Sequence, residues 1–165
     1  GIERLVYIGT ANTCGYGSKD NPGDGQAPSM PPFNRCLYAL SKVKTQELVD
    51  AAVAEGLDIV TINPTFMIGP YDYKPSSGRI INMALNRKVV FYPPGGKNFV
   101  HATDVARGVV TALEDGMAGE KYLMAGENLS YRDFFQIISR LTGQHPLMIR
   151  LPRPLLMALV LLETA

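Results

Sequence analysis

The chain has 165 residues, of which 46% are hydrophobic and 19% are charged, and its formal net charge is +1 at pH 7. This composition is typical of a globular protein and excludes a disordered, collagen-like or disulfide-framework class. The 16 Lys and Arg residues are balanced by 15 Asp and Glu residues and form no basic block. The chain therefore lacks the charge pattern of a protein that binds nucleic acid or a membrane surface.

The two cysteines, Cys14 and Cys36, do not form a Cys-x-x-Cys pair, so the sequence indicates neither a metal site nor a disulfide scaffold. A reducing cytoplasm suits such a chain best. The longest apolar run, Leu155 to Leu162, is about half the roughly 20 residues needed to span a bilayer. Because Pro152 and Pro154 precede it in the manner of a helix start, the run predicts a buried or interface helix.

Both ends of the chain indicate a piece of a longer protein. The sequence begins with Gly1 and enters an apolar run, Leu5 to Ile8, almost at once, whereas natural chains usually begin with Met and some frayed polar residues. The other end stops within the apolar pattern LVLLETA. We therefore expect that material is missing at both termini.

The first predicted elements are a strand, a long connection and a helix. The run RLVYIGT, closed by Gly9, is typical of a strand that is buried on both faces. Residues 11–34 are rich in Gly, Pro, Asn and Asp, which predicts a long surface connection of a kind that is often functional. A helix then runs from about Arg35 to Glu55 and stops at Gly56.

A second strand follows in LDIVTIN, and Pro64 ends it because proline has no N–H to donate to a sheet. Strand, helix and strand form a βαβ unit, which connects parallel strands and predicts an α/β fold. In open α/β sheets the ligand lies beyond the carboxyl ends of the strands. Thr10 and residues 63–66 should therefore face one crevice.

The second half of the chain has shorter elements between loops rich in Gly and Pro. We predict loops in GPYDYKPSSGRI and YPPGGKNFVH, around a short helix, Arg79 to Asn86, and a short strand, Val89 to Tyr92. EKYLMAG predicts one more strand. We interpret residues 67–165 mainly as a smaller lobe that binds substrate, with some segments returning to the sheet of residues 1–66 and with the boundary near Pro64 to Gly69.

Two longer helices are predicted in the same half. ATDVARGVVTALEDG is amphipathic, with Thr103 or Asp104 as its N-terminal cap and Gly116 at its end. LSYRDFFQIISRLTG starts with Ser130, followed three residues later by Asp133, which resembles a capping box, and a glycine ends it.

Tyr38 and Lys42 stand four positions apart in the first predicted helix, so they share one face. One interpretation is an incidental pair on a solvated helix, since a lone Tyr-x-x-x-Lys is weak evidence. The other is a proton-transfer site, since a free tyrosine has a pKa near 10 and a fixed cation nearby favours the phenolate. Hydride transfer to a carbonyl needs a proton donor, a second donor to the oxygen and a site for the nicotinamide ribose. Tyr38, Thr10 and Lys42 match these needs in kind and in order.

Four segments together resemble the extended short-chain dehydrogenases/reductases, the NAD-dependent epimerase/dehydratase superfamily. They are RLVYIGTA for the strand with the catalytic Ser/Thr, YALSK for the Tyr-x-x-x-Lys signature, INPTFMIGP for the second strand exit, and NFVHATDVARG. The resemblance runs from residue 2 to about residue 143 and is strongest to the branch with dihydroflavonol-reductase-like and hopanoid-associated sugar-epimerase-like proteins. It implies the C-terminal half of a Rossmann-like, doubly wound parallel sheet with a small α/β lobe that binds substrate.

In that family the tyrosine is the general acid/base and contacts the cofactor, the lysine binds the nicotinamide ribose and favours ionisation of the tyrosine, and the Ser/Thr polarises the substrate oxygen. The resemblance places these roles on Tyr38, Lys42 and Thr10. The exit GTANTCGYG is longer than the usual SSxxVYG, so Thr13 is a rival to Thr10, which we favour.

The resemblance also implies contacts outside this trio. Pro64, Thr65 and Phe66 follow the second strand, where the family lends backbone groups to the nicotinamide ring, although a simple strand cap explains them nearly as well. Tyr73 and Arg79 lie where related enzymes contact substrate, and a solvated loop is an equal alternative.

The leading functional hypothesis is an NAD(P)-dependent oxidoreductase that interconverts a secondary alcohol and a ketone. A nucleotide-sugar epimerase or dehydratase would use the same residues, whereas a non-catalytic dinucleotide sensor predicts loss of the Tyr or the Lys. No Gly-x-x-Gly-x-x-Gly occurs in the sequence, so the main anchor for the cofactor pyrophosphate is missing. We expect the isolated chain to bind NAD(H) or NADP(H) poorly and to be inactive. The resemblance also implies a possible homodimer, formed through the helix that carries the tyrosine and its neighbouring helix.

Overall fold

The structure is a computed structural model that describes residues 1–18, 20–74 and 76–156. Two units are formed by separate stretches of the chain: the first by Gly1–Met67 and Val100–Gly126, the second by Ile68–Phe99 and the described part of Glu127–Ala165. The helices and strands, in chain order, are β1 Leu5–Ile8, α1 Leu37–Ala54, β2 Ile59–Pro64, β3 Phe66–Ile68, α2 Arg79–Asn82, β4 Val89–Tyr92, β5 Gly96–His101, α3 Ala102–Asp115, β6 Lys121–Met124, β7 Glu127–Ser130, α4 Tyr131–Thr142 and β8 Leu147–Arg150.

A three-stranded parallel sheet, in the order β1-β2-β6, forms the centre of the first unit. Every residue of β2 is buried, whereas β1 and β6 each pair on one side only within the described residues. Helix α1 connects β1 to β2, so this part of the chain is the predicted βαβ unit. The parallel sheet with its crossover helix confirms the predicted α/β fold class, and its Rossmann-like character rests on the comparisons given below.

The core of the first unit lies where α3 packs on this sheet. Its buried members are aliphatic and come from β2, from the end of β5 and from one face of α3: Val60, Ile62, Val100, Val105 and Ala112. Burying a side chain the size of Val or Ile contributes roughly 1.5–3 kcal/mol relative to leaving it exposed. The apolar stripe of ATDVARGVVTALEDG is therefore what holds α3 against the sheet.

Helix α1 begins two residues later than predicted, because residues 33–35 form a short 3-10 turn before it. Its end matches the prediction. Gly56 adopts a left-handed conformation with φ of +97°, its N–H donates to the carbonyl of Val53, and the N–H of Leu57 donates to the carbonyl of Ala52. This is a Schellman motif, which explains why a glycine stops the helix.

The second unit contains two small sheets and two helices. Strand β5 pairs antiparallel with β7, and β4 pairs parallel with β8. Phe134 of α4 stacks on Phe99 with 4.4 Å between ring centroids and contacts Phe135 edge-on. Ser130 caps α4 as predicted, since its hydroxyl accepts from the N–H of Asp133 at 3.0 Å.

Several predicted elements of the second half were wrong in extent or type. The stretch ending in KNFVH, predicted as a loop, forms β5, and the strands β7 and β8 were not predicted. Helix α2 is one turn long and ends at Asn82 rather than Asn86. Residues 153–156 are helical, and the rest of the predicted apolar helix, residues 157–162, lies outside the described residues. Among the described residues, no helix combines the length and the apolar character that crossing a membrane requires.

Candidate active site

The exit of β1 places Thr10 at the carboxyl edge of the parallel sheet. Gly9 continues the sheet, since its N–H donates to the carbonyl of Ile62 at 2.9 Å. The side-chain oxygen of Asn63 occupies the space that a Cβ on Gly9 would take. Thr10 follows and is only 8% exposed, and because Ile8 stands opposite Ile62 in the register, Thr10 lies level with Pro64 at the same edge.

The hydroxyl groups of Thr10 and Thr13 have different hydrogen-bond roles. The Thr10 hydroxyl oxygen accepts from the N–H of Asn12 at 3.3 Å and so caps the 3-10 turn Ala11–Thr13. The Thr13 hydroxyl donates to the Thr10 carbonyl at 2.8 Å. The hydrogen of Thr13 is therefore committed to the turn, whereas the Thr10 hydroxyl donates to no acceptor among the described residues. Of the two rivals, Thr10 is better able to donate to a substrate oxygen.

Tyr38 and Lys42 occupy the first two turns of α1. Tyr38 is 52% exposed, so its phenol is open to an incoming molecule. Lys42 is half-buried, and its ammonium lies 6.0 Å from the centroid of the Tyr7 ring of β1, at the limit of a cation–π contact. Within the described ranges, no acidic side chain forms an ion pair with Lys42. Its hydrogen-bond donors therefore remain available for a ligand.

The elements that carry this trio adjoin one another in the first unit. Helix α1 contacts the 3-10 turn that Thr10 caps, and Lys42 reaches the ring of Tyr7, three residues before Thr10. On a helix, residues four apart have Cβ atoms about 5–6 Å from each other. Tyr38, Lys42 and Thr10 thus come from the start of one helix and the end of the strand beside it.

The predicted nicotinamide contacts lie at the exit of β2. Pro64 is the last residue of β2 and Phe66 the first of β3. Both the N–H and the hydroxyl of Thr65 donate to the carbonyl of Met124, at 3.0 and 3.2 Å. The Thr65 amide is therefore already used by the sheet, and Pro64 has no N–H, so neither residue offers a backbone donor to a ligand at this exit.

Tyr73 and Arg79, the predicted substrate contacts, belong to the second unit. Tyr73 is 84% exposed, and its ring lies 6.1 Å from that of Tyr71, which has a positive φ of 69°. The Asp72 carboxylate accepts from the N–H groups of residues 76 and 78 at 3.0 Å and holds the turn in place. Arg79 opens α2 directly after this turn.

His101, rather than Thr103 or Asp104, caps helix α3. The Nδ1 atom of His101 accepts from the N–H of Thr103 at 3.2 Å. Asp104 lies in the first turn and forms an exposed ion pair with Arg107 at 3.6 Å. The predicted caps were wrong because the helix begins at Ala102, two residues earlier than a Thr103 cap allows and three earlier than an Asp104 cap allows.

Sequence reasoning missed the polar contacts that fix α1 to the sheet. Gln46 is buried, and its Nε2 donates to Asp50 Oδ1 at 2.9 Å and to Thr61 Oγ1 at 3.3 Å. Lys121 Nζ donates to Asp50 Oδ2 at 2.7 Å. A signal was present in the spacing, since Tyr38, Lys42, Gln46 and Asp50 recur at intervals of four.

Comparison with known proteins gives a consistent result. The sequence profile of the NAD dependent epimerase/dehydratase family matches residues 1–125. A protein of Synechocystis named "Putative dihydroflavonol 4-reductase" is 34% identical over 153 residues, which are 87% of this chain and 43% of that protein. Sterol demethylase protein B of Methylococcus capsulatus is 27% identical over 99% of this chain and 50% of its own length.

Among solved structures, a nucleoside-diphosphate-sugar epimerase from Pseudomonas aeruginosa superposes with a TM-score of 0.85 at 29% identity. The match covers 99% of this chain and 54% of that one, so the chain spans about half the length of the relatives it matches. The Rossmann-like fold of such neighbours agrees with the β1-β2-β6 sheet and its crossover helix. The profile match over three quarters of the chain and the segments that carry the resemblance lead to one conclusion: the chain belongs to the NAD-dependent epimerase/dehydratase family.

Proposed function

We propose that the complete protein containing this chain is an NAD(P)-dependent oxidoreductase that interconverts a secondary alcohol and a ketone. The observation that carries the proposal is the half-exposed phenol of Tyr38, one helical turn from an ammonium, Lys42, that has no acidic partner within the described residues. When bound, the nicotinamide supplies or accepts the hydride. Lys42 would hold the cofactor ribose, and carbonyls of residues 64–66 would contact the nicotinamide.

In this proposal the chain's own residues handle the proton and the developing charge. Tyr38 gives its phenolic proton to the carbonyl oxygen during reduction and takes it back during oxidation. Thr10 donates a second hydrogen bond to the same oxygen and so stabilises negative charge on it. The ammonium of Lys42 favours the phenolate and keeps Tyr38 able to exchange its proton.

The test is substitution in the complete protein. Tyr38→Phe keeps the ring and removes the proton, so we expect turnover to fall by about 100-fold or more. Lys42→Met should lower turnover and raise KM for the dinucleotide, whereas Lys44→Met, an exposed lysine on the same helix, should change neither. A Tyr38→Phe protein with full turnover would overturn the proposal and favour a non-catalytic dinucleotide sensor.

A second candidate is a nucleotide-sugar epimerase or dehydratase that uses the same residues. The charge of the second unit favours it, since that unit contains nine Lys and Arg residues but four Asp and Glu residues, and such an excess attracts an anionic substrate such as a nucleoside diphosphate. Tyr73 and Arg79 are the proposed substrate contacts. Monitoring NAD(P)H absorbance separates the candidates: a net change with a ketone identifies a reductase, and sugar isomerisation without net change identifies an epimerase.

We also propose that the complete protein is a homodimer formed through α1. Three leucines along this helix are exposed, and they are Leu37, Leu40 and Leu48. Replacing Leu37 and Leu48 by Lys should convert a dimer to a monomer in sedimentation velocity. A protein that is monomeric before the substitution would contradict this assembly.

A further inference from the structure

Helix α1 carries the proposed catalytic pair but buries few apolar side chains in the first unit. Of its 18 residues, only Ala39 and Gln46 are buried. Apolar packing normally supplies most of the stability of a helix in a protein. Gln46 has the larger of the two buried side chains of α1, so its polar contacts are the ones to consider for fixing the helix along the sheet.

The contacts of Gln46 supply that fixed point. Gln46 is 8% exposed, and its side-chain N–H groups reach Thr61 of β2 and Asp50 of its own helix. Asp50 in turn accepts from Lys121 of β6 at 2.7 Å. Thr61 and Lys121 stand opposite each other in the sheet register. One chain of hydrogen bonds, which we call the Gln46 brace, thus joins α1 to two adjacent strands at one level of the sheet.

The spacing connects this brace to the chemistry. Gln46 lies four residues after Lys42 and eight after Tyr38, so the three side chains follow one ridge of the helix. A shift of α1 along the sheet would move the phenol and the ammonium together relative to Thr10, which β1 holds. A misplacement of about 1 Å at a reacting group can lower the rate by about 100-fold.

We propose that Gln46 is a positioning residue, which fixes the axial placement of α1 and thereby of Tyr38 and Lys42. The inference rests on the proposed function of that pair. The buried Oε1 of Gln46 has no hydrogen-bond partner among the described residues, and such an orphaned polar atom opposes folding. Gln46 therefore serves placement more than stability, and this separates a positioning role from a merely structural one.

The test is Gln46→Met in the complete protein, which keeps the length of the side chain and removes both the hydrogen bonds and the orphaned oxygen. We expect little change in melting temperature, a kcat lower by about 10- to 100-fold with KM nearly unchanged, and faster hydrogen exchange at the amides of residues 37–46. The matched control is Lys44→Met, which should alter none of these readouts.

A second variant tests the brace by rescue. Gln46→Glu combined with Asp50→Asn restores a hydrogen bond between the two positions, with the donor now on position 50. The new carboxylate at position 46 can also accept from Thr61, and the new amide carbonyl at position 50 can accept from Lys121. We expect this double variant to recover most of the kcat that Gln46→Met loses. The proposal is overturned if Gln46→Met keeps full kcat and normal exchange, or if kcat and melting temperature fall together in every variant.

These outcomes are distinguishable from failure of the proposed chemistry. If Tyr38→Phe is fully active, the catalytic assignment fails, and the exchange rates of residues 37–46 still test whether Gln46 fixes the helix. If Tyr38→Phe is inactive while Gln46→Met is fully active with normal exchange, only the positioning role fails.

Discussion

Gly9 shows how a single missing methyl group shapes the candidate site. Gly9 lies between the end of β1 and Thr10, and its Cα faces the side-chain oxygen of Asn63. Asn63 is itself 3% exposed, and its side-chain oxygen has no hydrogen-bond partner among the described residues. The close approach of these two residues leaves no room for a Cβ at position 9.

We predict that Gly9→Ala destabilises the protein by about 1–3 kcal/mol, because the new methyl group would overlap the side-chain oxygen of Asn63. Urea unfolding measures the change. In an Asn63→Ala background the same substitution should cost much less, since the obstructing oxygen is gone. Equal effects in both backgrounds would show that the contact with Asn63 is not the cause.

Among single residues, the sequence predicted those that can be recognised from residue type and spacing alone. Tyr38 and Lys42 could be selected because four-residue spacing aligns them on any helix. Gln46 has the same spacing, but a glutamine on a helix is usually solvated, and its burial depends on Thr61 from a strand that comes 15 residues later. The choice between Thr10 and Thr13 likewise depends on the 3-10 turn, whose hydrogen bonds the sequence does not show.

Among the elements, α3 depends on a cap that uses an imidazole. The first N–H groups of a helix need acceptors, and His101 supplies one through Nδ1. Histidine is an unusual cap. Because Thr103 and Asp104 are common capping residues, the sequence predicted a helix start that is too late in the chain.

We predict that His101→Leu destabilises the first unit by about 1 kcal/mol, because the N–H of Thr103 loses its acceptor. His101→Asn should retain most of the stability, since asparagine is a strong N-cap. Thermal unfolding of both variants and of the wild type measures these differences in stability. If both variants are equally destabilised, the ring of His101 acts through packing and not through its acceptor.

The strands show where prediction from the sequence stops. β1, β4 and β6 were located because apolar and β-branched runs stand between turn residues. β5 and β7 have mixed composition, GKNFVH and ENLS, and β8 has only the four residues LMIR. Each becomes a strand because it pairs with a partner strand. Pairing between distant segments is tertiary information, which a local pattern does not contain.

The contribution of the Gln46 brace to stability depends on pH through Asp50. Burial alone would raise the pKa of Asp50, but the hydrogen bonds from Lys121 and Gln46 outweigh it and lower that pKa below its ordinary value of 3.8. Because the folded state binds this proton less tightly than the unfolded state, the contribution to stability is present above pH 3.8 and is lost as the pH falls through the lowered value.

We therefore predict that Asp50→Asn is less stable than the wild type at pH 6, by at most about 1 kcal/mol since the pair is partly exposed. The difference should begin to shrink as the pH falls below 3.8 towards the lowered pKa, as melting temperatures measured from pH 6 to pH 3 would show. Asp115→Asn, which removes an exposed carboxylate at the end of α3, should follow the wild type throughout. A constant difference at all pH values would contradict the assigned role of the carboxylate.

For the molecule as a whole, we propose that the chemistry and the cofactor anchor lie on different parts of the complete protein. The described residues contain Tyr38 and Lys42, whereas the sequence contains no Gly-x-x-Gly-x-x-Gly turn for the pyrophosphate. We predict that the complete protein binds NAD(H) or NADP(H) at least about 100-fold more tightly than this chain alone. Isothermal titration calorimetry on both proteins measures the ratio, and similar affinities would show that the 165 residues hold the principal anchor.

The one-sided pairing of β1 within the described residues has a further consequence. Along that border, peptide amides and carbonyls point outward beside the half-exposed side chains of Leu5 and Ile8. Such a border accepts any extended segment that offers a matching row of hydrogen bonds. In a concentrated solution of the isolated chain, the β1 edges of two molecules can form hydrogen bonds with each other. Self-association at high concentration will therefore reveal this edge before any catalytic measurement does.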